Sequence, residues 1–185
     1  TKAVTDIFVR DRAGGVTERV SVGVGGQQAN GASTNASISA DGRYVVFESA
    51  ASNLVAGDTN GVTDIFVHDR QSDVTTRVSA HTDGTQANDH CYNPSISGDG
   101  RYVVFETTAS NLSQWDTNQK ADIFMADLAT GAVFRISLGY EGELNGHSRG
   151  PAISEDGTTM AYDSFATNLV PGDTNASQDV FIFGL

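Results

Sequence analysis

Short apolar runs bounded by turn residues organise the chain from one end to the other. "RYVVFES" at 43–49 holds a continuous Val45-Val46-Phe47 run, too apolar for a half-exposed edge strand. "DIFVHD" at 64–69 alternates instead, placing Ile65 and Val67 on one face and Phe66 on the other. "ASIS" at 36–39 reads as a shorter strand running into Asp41-Gly42, a tight-turn pair because Gly accepts positive φ. "TTRVS" at 75–79 is a fourth strand and the most polar. No segment shows a helical period, so the pattern predicts an all-β chain.

This four-strand set returns. Asp6, Asp64, Asp122 and Asp179 each open an equivalent strand, at spacings of 58, 58 and 57 residues. "SISADGRYVVFES" (37–49) matches "SISGDGRYVVFET" (95–107) and, more loosely, "AISEDGTTMAYDS" (152–164). The one-residue deficit falls where "HTDGTQAN" (81–88) becomes "GYEGELN" (139–145). The expectation is a single repeat domain over 1–185, with units at about 6–63, 64–121 and 122–178 and a terminal strand at 179–185. Four strands meandering outward, repeated, is the pattern of β-propeller blades.

The ordered set "SxDGRYVVFES…DIFVxDRxxGxTxRVS" resembles the TolB-type propeller repeat, and the resemblance covers essentially the whole chain. It implies β-propeller-like repeats, here three four-stranded units of about 58 residues with incomplete blades at both ends. It implies no activity, since that family spans scaffolding, binding and enzyme-attached propellers. Two features depart from its common form. Ala40, Gly98 and Glu155 stand where Pro is usual, and a long insertion separates the second and third strands of each unit.

Counting strands gives thirteen, where three closed blades need twelve. The third strand is present twice, as Asp6, Ile7, Phe8 and Val9 near one end and Asp179, Val180, Phe181, Ile182 and Phe183 near the other. Incomplete blades expose unpaired backbone, and such edges recruit strands. A head-to-tail contact between copies is heterologous and builds an open fibre when its rotation does not close. A ring of two chains, and an excerpt of a longer six-bladed propeller, are the alternatives.

Charge narrows the partners. Acidic residues outnumber basic ones 23 to 11, which argues against nucleic acid and is compatible with divalent cations. Asp58, Asn60 and Asp64 stand at relative positions 1, 3 and 7 of the insertion, as do Asp116, Asn118 and Asp122, and Asp173, Asn175 and Asp179. Alternate oxygen ligands of that kind suit Ca²⁺, although the Gly and Glu of an EF-hand loop are missing. The same residues also make Asx turns. The Asp that begins each following strand is against β preference, which favours a carboxylate with a partner.

No apolar run reaches the roughly 20 residues of a membrane span. A secreted, processed form at the cell surface or outside the cell is expected. Cys91 is the one cysteine, and its equivalents Ser33 and Ser148 make it a small buried residue rather than a catalytic thiol. No nucleophile motif is present, and residues that recur once per unit do turn work, so a non-enzymatic structural role is expected. Trp115 has no aromatic equivalent and is a candidate ligand contact. A cluster of Trp115 with Tyr140 and His147 would mark the rival function, a propeller that binds a glycan or protein. Asn35, Asn111 and Asn175 fit the short glycosylation pattern, a weak signal in a chain this rich in Asn and Ser.

Overall fold

Period-2 segments become four antiparallel sheets and one short hairpin in the computed structural model, which describes residues 3–184. The first sheet is the two-stranded pair β1 (Phe8–Asp11) and β2 (Val16–Arg19). The second runs in the order β3 (Ser33–Ile38), β4 (Tyr44–Ser49), β5 (Asp64–Asp69), β6 (Val74–Arg77). The third repeats it with β7 (Cys91–Ile96), β8 (Tyr102–Thr107), β9 (Asp122–Asp127) and β10 (Ala132–Arg135). A small hairpin follows, β11 (Leu138–Gly139) with β12 (Gly142–Glu143). The last sheet has three strands, β13 (Ser148–Ile153), β14 (Thr159–Ser164) and β15 (Asp179–Gly184). That hairpin was not expected from the sequence. It closes on Tyr140-Glu141 where the loop is one residue shorter, and at the longer equivalents only single bridges form, Val22 to Gln28 and Ala80 to Gln86.

The sheets pack face to face, and alternation decides which side chain enters which interface. Ile65 and Val67 point from β5 toward the third sheet, joining Val103, Phe105 and Phe124. Phe66 points the other way, into a cluster with Val20, Phe47 and Leu54 that covers the second sheet's opposite face. Ile123 and Met125 of β9 meet Met160 and Tyr162 of the last sheet in the same manner. Phe47 stacks on Phe66 and Phe105 on Phe124, each pair at 6.1 Å between ring centroids.

The first strands are longer than the short "ASIS"-type segments predicted. Each gains residues by bending through a bulge, at Thr34/Ser37, Tyr92/Ser95 and Arg149/Ala152. The bulges place Asn35, Asn93 and Gly150 at φ of 50°, 51° and 57°. Two buried carboxylates hold them. Glu48 accepts from Thr34 Oγ1 and Asn35 Nδ2, both at 2.9 Å, and its other oxygen accepts the Asn93 N–H of the neighbouring sheet at 2.9 Å. Glu106 accepts from Asn93 Nδ2 at 3.1 Å and from the Gly150 N–H at 2.9 Å.

A second stitch explains two of the three missing prolines, those at 40 and 98. The Ala40 N–H donates to the Gly98 carbonyl at 2.9 Å, and the Gly98 N–H donates to the Glu155 carbonyl at 2.8 Å. Proline has no N–H to give. At 98 any side chain would also run into Glu155.

Candidate functional site

Each long insertion folds back over the strand that follows it, so the acidic residues meet at the start of that strand. The loop is pinned first by asparagines. The Asn30 N–H donates to Asn53 Oδ1 at 2.9 Å and Asn53 Nδ2 donates to the Gln28 carbonyl at 2.9 Å, and the exchange recurs at Asn88 with Asn111 and at Asn145 with Asn168.

Asp58, Asn60 and Asp64 then surround a guanidinium. Arg77 Nη1, from β6, lies 3.2 Å from Asp58 Oδ1 and 3.7 Å from Asp64 Oδ2. Ser79 Oγ donates to the other Asp64 oxygen at 2.5 Å, and Asn60 Nδ2 donates to Asp64 Oδ2 at 2.9 Å. In the next loop Arg135 Nη1 lies 3.5 Å from Asp116, 3.6 Å from Asp122 and 3.1 Å from Glu143, with Ser137 Oγ donating to Asp122 at 2.5 Å. Asn118 Nδ2 sits 3.5 Å from Asp122 and donates to the Leu144 carbonyl at 3.1 Å.

Both loops therefore hold an organic cation where the spacing suggested Ca²⁺, and each Asn turns its N–H toward the carboxylate rather than its oxygen toward a shared centre. Among the described residues there is no group of three or more acidic, His or Cys side chains arranged to hold a metal.

Burial dominates the electrostatics here. It raises the carboxyl pKa of Asp58, Asp64 and Asp122 against the pull of their Arg and hydrogen-bond donors. Asp116 is pushed up to about 6, by burial first and then by the negative charge of Asp122.

The third loop differs. Asn175 Nδ2 donates to both Asp179 oxygens, at 3.2 and 2.9 Å, and the Asn175 N–H to Asp173 Oδ1 at 3.3 Å. Among the described residues no arginine approaches Asp173 or Asp179. These two and Asn175 line a cavity of about 500 Å³ with Val170, Pro171 and Phe181. At the other end Asp6 accepts from Ser21 Oγ at 2.8 Å and Gln28 Nε2 at 2.9 Å, with Arg19 Nη1 at 3.4 Å.

No protein-family model and no curated protein matches the chain. Solved structures do. TolB from Acinetobacter baumannii superposes with a TM-score of 0.53 at 14% identity, over 97% of this chain and 35% of that one. A structure described as a TolB from Agrobacterium tumefaciens gives 0.60 at 16% identity, over 100% and 54%. The tricorn protease gives 0.59 at 15%, over 97% and 16%. The fold is a TolB-like β-propeller. This chain thus spans a third to a half of the TolB structures it resembles.

As blades, the sheets expose a difference between faces. Ile65 and Val67 are 0% and 6% exposed, and Ile123 and Met125 likewise 0% and 6%. Their counterparts on the last blade, Val180 and Ile182, are 74% and 77% exposed. On β1 the exposed aromatic is Phe8, whereas Phe66, Phe124 and Phe181 at the same position are covered or half-covered. Asp6 and Ile7 lie just ahead of β1, with the Ile7 carbonyl accepting the Val20 N–H at 2.9 Å, and Ile7 and Val9 pack on the Phe47–Leu54 cluster. Val180, Phe181, Ile182 and Phe183 all fall within β15, which Phe181 ties to Tyr162 of β14.

Trp115 is 76% exposed over a cavity of about 540 Å³ shared with His81, Phe134, Leu138 and Glu143. His147 lines a different cavity and Tyr140 neither, so the three do not form one cluster. His147 and His90 each use Nδ1 to accept a loop N–H, from Ala121 and Thr63, both at 2.9 Å. Cys91 is fully buried, its thiol pushed up to about 12 by that burial.

His68 lies in the strand predicted at 64–69, but nothing in the sequence singles it out. It is fully buried in β5, with Nδ1 at 3.0 Å from a Thr75 hydroxyl that itself donates to the Val22 carbonyl. That hydroxyl can then only accept, so Nδ1 carries the imidazole proton, and burial lowers the pKa of the ring.

Proposed function

We propose that the chain is a non-catalytic structural module whose work is self-association, blade against blade, in a head-to-tail sense. The observation that carries this reading is the bare face of β15: Val180 and Ile182 hold the positions that the junctions at β5 and β9 bury and that the junction ahead of β3 half-buries with Ile7 and Val9. Blade burial of that kind removes large aliphatic side chains from water at about 25 cal/mol per Å². Exposed apolar faces on an otherwise acidic surface mark interaction sites. The opposite end presents the complementary kind of surface, the two-stranded sheet β1–β2 with Phe8 outward. Because the two ends differ, the contact is heterologous and propagates or closes according to its rotation.

Sedimentation velocity and negative-stain electron microscopy on the micromolar protein test this directly. Concentration-dependent growth into fibres or rings is expected, and Ile182→Asp should abolish it. A monomer at every concentration, unchanged by that substitution, would overturn the reading.

A further inference from the structure

β15 and β1 are versions of one strand, and the structure shows what each lacks. In β5 and β9 the outer edge is paired by a strand carrying Arg and, two residues on, Ser: Arg77 and Ser79 in one case, Arg135 and Ser137 in the other. The Ser oxygen also accepts the N–H of the residue after the Asp, from Ile65 at 3.0 Å and Ile123 at 2.9 Å. Each such Arg meets two loop carboxylates. β15 offers both, Asp173 and Asp179, with an unpaired outer edge and no Arg among the described residues. β2 offers the Arg and the Ser, Arg19 and Ser21, but among the described residues meets a single carboxylate, Asp6, with the guanidinium a third exposed at 3.4 Å.

We infer that β15 of one copy replaces β1 of the next. Asp179 then takes the place of Asp6, Val180 that of Ile7, Phe181 that of Phe8 and Ile182 that of Val9. Arg19 gains a second carboxylate, as Arg77 and Arg135 have. Val180 and Ile182 become covered by the cluster around Phe47 and Leu54 that now holds Ile7 and Val9. Phe8, exposed in its own chain, gives way to Phe181, already packed on Tyr162. The strand displaced belongs to a two-stranded ribbon, in which β2 is its one partner strand among the described residues. The exchange is strand swapping between identical chains, in which the entering strand restores the contacts of the leaving one. This site rests on the self-association reading and specifies its occupant.

Cross-linking separates the two. Val9 faces Glu18 in the β1–β2 register, so Ile182 should face Glu18 of the next copy. The double variant Glu18→Cys, Ile182→Cys should oxidise into a ladder of covalent multimers. Asp6→Asn, which loosens only the resident strand, should lower the concentration for half-assembly several-fold, on the scale of a half-exposed ion pair. Polymer without a covalent ladder, and without response to Asp6→Asn, would overturn strand replacement while leaving self-association standing. A fast-migrating cross-linked monomer, or monomer with no cross-link at all, would overturn both.

Discussion

Arg77 and Arg135 set the chemistry of the acidic loops, because each places a fixed positive charge among carboxylates that burial would otherwise keep neutral. The balance is least favourable at Asp116, whose neighbours Asp122 and Glu143 add negative charge. Its carboxyl goes from 3.8 in the open chain to about 6 in the fold. A raised carboxyl contributes its full stabilisation below pH 3.8 and loses it as pH climbs through about 6. Asp116→Asn stays neutral throughout. Thermal melts should therefore show the variant gaining on the parent between pH 4 and pH 7, by about 3 kcal/mol at most. A difference that stays flat over that range would mean that Arg135 cancels the burial cost.

At the scale of elements, the junctions rely on backbone bonds as well as on side chains. Ala40 and Gly98 give their N–H groups to the next blade, so Ala40→Pro removes one junction hydrogen bond. A loss of about 1 kcal/mol is expected, read by denaturant unfolding. No loss would show that the contact is dispensable. The strands themselves were legible in the sequence, because alternation such as Ile65-Phe66-Val67 maps directly onto two different interfaces. The bulges were not. They depend on Glu48 reaching Asn93, 45 residues away, a pairing no local pattern announces.

The acidic loops show the same limit at the level of the site. Their residues stood out in the sequence, but the partner did not, since Arg77 comes 13 residues after Asp64 on another strand. A signal was available in the spacing: Arg19, Arg77 and Arg135 recur 58 residues apart, in step with the Asp residues they serve.

For the whole molecule, Arg77 and Arg135 standing among the carboxylates lead to the expectation that stability does not depend on divalent ions at loops 58–64 and 116–122. Chelation should leave the melting temperature where it is, and a drop of several degrees on adding EDTA would show that metal is bound after all. The inter-blade backbone bonds carry one more consequence. Ala40 to Gly98 and Gly98 to Glu155 run from an N–H on the earlier blade to a carbonyl on the later one, whereas Ser33 to Thr5, Cys91 to Thr63 and Ser148 to Ala121 run the other way, from the opposite end of the same first strands. Each blade thus shows one order of donors and acceptors to the blade before it and another to the blade after it. A unit arriving upside down would meet the wrong partner at both places, so a polymer built on these contacts has a plus and a minus end, and its two tips should grow at different rates.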